Sequence, residues 1–289
     1  MTTIEQWKEK GEFFLFKGQR VFYRDEGQGE PLVCIHGFPT SSWDWRLVWP
    51  LLTKKFRVIA IDMLGFGFSD KPPQYSYSVI DQADIHEALL AQLGITQYHL
   101  IAHDFGTLVS QELIGRSGKY RASQARAISL FAMSGSIFPE LSKPKLIQKL
   151  LISRVAPIVT KLFNENKFNK SFSSAFAEKN KPEEKILAYY WRLLCENNGD
   201  KLLHHLNFFL KDRQQHGLRW AQAWQSADIP IRYLAGDEDP MYGKETIAKL
   251  KILSLKKDII ALPEAGHFPH IESPKEVVKN ILEFMTLHL

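Results

Sequence analysis

The sequence predicts an α/β protein: a mostly parallel sheet flanked by helices, with a helical cap inserted late in the chain. Three observations predict it. Apolar runs alternate with helical patterns along most of the 289 residues. The runs are continuous rather than alternating, which suits strands covered on both faces. The alternation then stops between residues 134 and 227, where helical patterns follow one another without a convincing strand.

Taken in order, residues 13–16 and 20–23 read as a hairpin around Lys17-Gly18. Residues 31–36, 56–62, 98–102, 127–131, 229–234 and 258–262 read as buried strands. Residues 79–93, 108–114 and 275–287 carry the clearest helical spacing between them. Inside the cap, residues 145–151, 182–195, 201–210 and 218–224 are helical candidates, while the polar stretch 164–181 reads as loop. The organisation expected is therefore a core of residues 1–133 and 228–289 with a cap of 134–227 inserted in it.

Composition bounds the class. Hydrophobic residues make up 45% and charged residues 24%, as in a soluble globular protein, and the formal net charge is +5. The Lys and Arg are scattered, with no basic run interleaved with aromatics, so nucleic acid is not an expected partner. The two cysteines, Cys34 and Cys195, read as small buried hydrophobes and form no disulfide framework or metal motif. No apolar run approaches bilayer-spanning length and the N-terminus lacks a signal-peptide pattern, so a cytoplasmic location is the default expectation. Oligomeric state is not legible.

The stretch Tyr98-His99-Leu100-Ile101-Ala102-His103-Asp104-Phe105-Gly106-Thr107 has the form of a strand, a sharp turn and a helix start. That is the shape of a nucleophile elbow, with Asp104 at its tip. A serine there would indicate acyl transfer. A carboxylate indicates attack on a saturated carbon and an ester between substrate and enzyme. An ordinary Asp, with pKa about 3.9, is already ionised at neutral pH and needs no base to activate it. The helix N-terminus behind it favours the same charge. The competing reading is that Asp104 only caps that helix.

A base and an orienting acid are expected to follow in chain order. Ala235-Gly236-Asp237-Glu238-Asp239-Pro240 and Pro263-Glu264-Ala265-Gly266-His267 lie past the carboxyl ends of consecutive strands, the edge where parallel sheets bind ligands. The Gly-x-x-Asp spacing favours Asp239, with Asp237 and Glu238 as rivals. The preceding Gly266 favours His267, with His270 as rival. His36, His99 and His103 read as structural, each satisfied by backbone; His86 reads as helical surface or core; His204 and His205 belong to the cap. His36-Gly37-Phe38-Pro39 ends a strand before a helix start near Ser41 and Ser42. The backbone N–H groups of Phe38 and Phe105 are therefore the candidate oxyanion donors.

With these motifs, and with Asp62-Met63-Leu64-Gly65-Phe66-Gly67-Phe68-Ser69-Asp70-Lys71-Pro72, the chain resembles the α/β-hydrolase superfamily, in its haloalkane dehalogenase and epoxide hydrolase branch. The resemblance covers nearly the whole chain and is weakest across the cap. It implies a small-molecule substrate, no cofactor and no metal. The chain also departs from the branch. Dehalogenases carry Trp after the nucleophile to hold halide, and many carry Asn where this chain has Phe38; here Phe105 follows Asp104. Epoxide hydrolases carry cap tyrosines, one after a Leu-Asn-Trp motif; here Leu206-Asn207-Phe208-Phe209 leaves Phe209 in that place. Trp43, Tyr189, Tyr190 and Phe209 are the candidate pocket-lining aromatics. The reading that results is a hydrolase with a covalent alkyl-enzyme ester, epoxide hydrolase-like before haloalkane dehalogenase. A serine esterase would need an elbow serine, and Ser134-Gly135-Ser136 lacks that spacing. A binding protein that kept the fold is the remaining alternative.

Overall fold

A computed structural model describes residues 2–117, 125–141, 146–254 and 257–288. Eight strands form one sheet: β1 (Glu12–Phe16), β2 (Gln19–Glu26), β3 (Pro31–Ile35), β4 (Arg57–Ile61), β5 (Gln97–His103), β6 (Arg126–Met133), β7 (Ile231–Gly236) and β8 (Asp258–Leu262). Their order is β1-β2-β4-β3-β5-β6-β7-β8. β2 runs antiparallel to both its neighbours, and the remaining pairs are parallel. Every strand expected from the sequence is present, with ends moved by up to three residues.

The continuous apolar runs are explained by burial on both faces. In β3, Val33 and Ile35 join one hydrophobic cluster while Leu32 and Cys34 join the other; in β4, Ile59 and Ile61 oppose Val58 and Ala60 in the same way. After β3 the chain turns to β4 on one side, and β5 returns on the other. The loops leaving the carboxyl ends of β3 and β5 therefore part, opening a crevice at the switch point of the sheet.

Between β6 and β7 the described residues are helical, with no strand: Leu146–Leu151, Ala156–Lys161, Glu165–Ser173, Glu184–Cys195, Leu203–Leu206 and Phe209–Ser226. Lys145, which the sequence placed in the first of these, lies outside the described residues. Two corrections follow. Residues 164–181 are only partly loop: Glu165–Ser173 is a helix capped by Asn164, whose side chain accepts from Lys167 N–H, and the loop reading holds for the turns that follow it. Its Phe168 and Phe172 are buried one turn apart, and that i, i+4 pair outweighs the polar composition. The sequence candidate at 218–224 is part of one long helix, Phe209–Ser226.

That long helix is fastened to the helix behind the elbow, Gly106–Arg116. Buried Glu112 accepts from Trp220 Nε1 at 2.7 Å and from Arg116 Nε at 2.6 Å, and it pairs with Arg219. Gln111 Nε2 donates to the carbonyls of Ile137 and Trp220 at 3.0 and 3.2 Å. The charge-assisted bonds of Glu112 contribute about 1.5–3 kcal/mol each, and the neutral ones of Gln111 about 0.5–1.5 kcal/mol each.

Candidate active site

β5 ends at His103, and Asp104 turns the chain with φ 47°, a left-handed conformation that non-glycine residues seldom adopt. Neighbouring bonds hold it there. Asp104 N–H donates to the Met133 carbonyl at 3.0 Å, and the Asp104 carbonyl accepts from Thr107 N–H at 3.0 Å and Thr107 Oγ1 at 2.7 Å. Gly106 lets the following helix close on β3, since a Cβ there would sit 2.5 Å from the Ile35 carbonyl oxygen.

The Asp104 side chain does not cap that helix; Phe105 is the cap position and makes no side-chain cap bond. Phe38 N–H instead donates to Asp104 Oδ2 at 3.0 Å, and Phe105 N–H also acts on the carboxylate. Gly37 makes this approach possible: a Cβ on it would lie 2.8 Å from Asp104 Cβ and 2.9 Å from His103 Nδ1. Oδ1 faces His267 Nε2 at 3.7 Å, too far for a direct hydrogen bond. His267 Nδ1 lies 3.0 Å from Asp239 Oδ2, and Asp239 Oδ1 accepts from Met241 N–H at 2.8 Å.

The rivals are occupied elsewhere. Asp237 accepts from Glu264 N–H at 2.9 Å and lies 3.4 Å from Lys244 Nζ, and Glu238 is exposed. His270 is buried against Trp45 and His103. His36 is held by backbone as expected, from Met63 N–H and at the Gly37 carbonyl. His99 is not: its partners are the Ser129 hydroxyl at 2.7 Å and the Glu30 carboxylate at 2.8 Å. His86 sits at the Gln82 carbonyl. His204 pairs with Thr160 and, with His205, lines a separate surface groove.

Burial raises the Asp104 carboxyl above its ordinary value, and the Asp239 charge adds to this. His267 and the N–H groups of Phe38 and Phe105 oppose the shift without cancelling it. The unperturbed ionisation expected from sequence is therefore corrected upward. Two further groups that the sequence did not single out act on Asp104. Tyr242 is buried, with its ring stacked on His267 at 6.0 Å and 27°. Burial raises its phenol, the charge of Asp104 raises it further, and Arg213 opposes, so the hydroxyl stays protonated. Burial lowers the Arg213 guanidinium, and Tyr242 and Asp104 raise it. The overlooked signal was a Tyr three residues beyond Asp239, on the same loop.

Above Asp104 lies a cavity of about 90 Å³, lined by Phe38, Phe163, Phe168, Phe172, Leu203 and Met241 among others, and reached by His267. Trp43, Tyr189, Tyr190 and Phe209, expected to line it, do not. Trp43 Nε1 donates to the Thr2 carbonyl at 3.2 Å, and its ring packs edge-on against Tyr189 and Tyr190. The Tyr190 hydroxyl accepts from Arg46 at 3.1 Å. Phe209 lies behind the wall, packed on Phe38 and Phe105 at 5.4 and 5.1 Å. Trp191 packs on Phe163 and Phe168.

Comparison with known proteins gives the lineage. Residues 30–274 match the family described as alpha/beta hydrolase fold. The chain is 36% identical to the mouse (Mus musculus) mesoderm-specific transcript protein, across 98% of this chain and 88% of that protein. A haloalkane dehalogenase variant from Bradyrhizobium elkanii superposes with a TM-score of 0.80 at 20% identity, covering 96% of each chain. The epoxide hydrolase CorEH superposes at 0.75 and 21%, covering 96% of this chain and 98% of that one. At these identities the two structures speak for the fold alone.

Proposed function

The chain belongs to the α/β-hydrolase fold family, and on that premise we propose that it is a hydrolase working through a covalent ester on Asp104. The observation that carries this is the unequal treatment of the two carboxylate oxygens. Oδ2 accepts from the Phe38 N–H at 3.0 Å, and Oδ1 faces the cavity-side histidine at 3.7 Å. Oδ1 attacks an electrophilic carbon, breaks its bond to the leaving group and forms the ester, and Oδ2 becomes the ester's carbonyl oxygen, already held by the Phe38 N–H. At 3.7 Å from Oδ1, His267 Nε2 is set back far enough to take a proton from a water that approaches the ester. That water attacks the Asp104 carboxyl carbon, the bond from this carbon to the ester oxygen Oδ1 breaks, and the imidazolium, oriented and stabilised by Asp239, returns its proton to the departing alkoxide.

An epoxide is the electrophile this reading favours. Its opening leaves an alkoxide that needs a proton, and Tyr242 with Arg213 beside Asp104 supplies a phenol and a cation. A halide would want an indole N–H, and neither Trp43, whose Nε1 donates to the Thr2 carbonyl, nor Trp191, packed on Phe163 and Phe168, is among the residues that line the cavity. The aromatic lining suits an aryl-substituted epoxide.

The test is a single turnover of styrene oxide in oxygen-labelled water, with His267→Gln in parallel. Label is expected first in the Asp104 carboxylate, and the His267→Gln protein is expected to accumulate the adduct on the Asp104 peptide. Label passing straight into the diol, or no adduct in a variant whose parent turns over, overturns the mechanism.

A further inference from the structure

Behind the site lies a buried polar cluster that the mechanism above does not use. Asp44, on the 3₁₀ turn Ser42–Leu47, and His103 and His270 each bring one polar atom within 4.8 Å of the other two. Asp44 Oδ1, His103 Nδ1 and both nitrogens of His270 are buried and make no hydrogen bond to a described residue. Unpaired buried polar atoms are costly, so four together call for an explanation. A metal is the poorer one: Arg46 already acts on His270 with its positive charge, and a cation would add to it in a dry interior.

Both ends of the cluster reach the proposed machinery. His103 Nε2 lies 2.7 Å from the His267 carbonyl oxygen, which only accepts, so Nε2 carries the hydrogen. On the other side, Thr40 Oγ1 faces the Gly37 carbonyl at 3.1 Å and also Asp44 Oδ2. The Gly37 carbonyl belongs to the same planar peptide as the Phe38 N–H that donates to Asp104. A bond to that carbonyl polarises the N–H.

We propose that Asp44 is a positioning residue that links the peptide donating to Asp104 with the backbone carrying His267. The proposal rests on the reading of Asp104 and His267 given above. The link works through counting hydrogens. Burial keeps His103 and His270 neutral, so His103 Nδ1 is bare and His270 has one N–H and one bare nitrogen. When His270 gives its hydrogen to His103, its bare nitrogen needs a donor, and a protonated Asp44 supplies it. An ionised Asp44 instead draws the hydrogens of His270 and Thr40 beside that of the Tyr190 hydroxyl, so Nδ1 of His103 loses its donor and the Gly37 carbonyl keeps only His36 Nδ1 and the Thr40 N–H. A small rotation or one shared water spans the separations. The charged and titratable groups facing Asp44 are Arg46, Tyr190, Asp62, His270 and His103, with the Thr40 hydroxyl. Burial pushes the Asp44 carboxyl up to about 7, against Thr40, Tyr190 and Arg46, and Asp62 adds to the rise.

The test reads the imidazole nitrogens of His103 and His270 by NMR in ¹⁵N-histidine-labelled protein from about pH 5 to 9, in wild type and Asp44→Asn. Both sets are expected to shift together in wild type with a midpoint near 7, and to stay fixed in Asp44→Asn, whose amide is a permanent donor. Flat resonances in wild type, or the same midpoint in the variant, overturn the link whether or not any substrate is turned over. With styrene oxide as probe, Asp44→Asn is expected to flatten the dependence of kcat on pH around 7 and leave KM within twofold. A variant profile superimposable on wild type refutes the positioning role even if the titration is seen.

Discussion

Replacing Asp44 by Asn gives a stability prediction whose size follows from the structure. The folded carboxyl titrates near 7 and the ordinary one at 3.8. Between those values the native state binds more protons than the unfolded one, so stability falls as pH rises. Each unit corresponds to about 1.36 kcal/mol, and the whole interval to on the order of 4 kcal/mol. The Asn variant has no such titration. Its amide oxygen can accept from Thr40 and its nitrogen can donate toward His270, so it resembles the protonated acid. Urea unfolding of both proteins at about pH 5 and pH 8 measures the difference. Asp44→Asn is expected to gain on wild type by about 2–4 kcal/mol between the two conditions, with m unchanged. A gap between the proteins that stays constant within about 0.5 kcal/mol refutes the claim that Asp44 titrates in the folded state.

Two further outcomes follow from the site. Gly37→Ala drives a Cβ into Asp104 Cβ and His103 Nδ1, so the Phe38 N–H must leave Oδ2. Loss of one such donor costs about 10²–10³ in kcat, and styrene oxide turnover measured against wild type checks it. Tyr242→Phe removes the phenol and keeps the ring on His267. Ester formation from an epoxide is expected to slow by about 10²–10⁴, while formation from an alkyl bromide of the same shape stays within a few-fold, both followed by mass spectrometry in the His267→Gln background. Equal losses on both probes would assign Tyr242 to packing.

The parts of the site that were legible in sequence are those written in local patterns. The Asp104 elbow, the Gly-x-x-Asp of Asp239 and the Gly266-His267 pair each announce a turn past a strand end, and the sheet brings such ends to one edge. Side-chain direction across the cap is not local. Tyr189 and Tyr190 sit on the helix Glu184–Cys195, yet they turn to Trp43 and Arg46 because that face packs on the 3₁₀ turn Ser42–Leu47. Phe168 and Phe172 reach the cavity from a segment whose Asn and Lys content read as loop. Tyr242 and Arg213 meet beside Asp104 from positions 29 residues apart, a convergence no window of sequence contains.

Phe38 joins two features of the site in one residue. Its N–H holds Asp104 Oδ2, and its ring is part of the cavity wall, braced by Phe66 and Phe209. A ligand that presses on the ring also tilts the donor. A poorly shaped molecule is thus penalised in the rate of reaction more than in occupancy, and discrimination among congeners is expected in kcat at nearly constant KM. The wall of this cavity is thus expected to sense shape through the same residue whose N–H holds the Asp104 carboxylate.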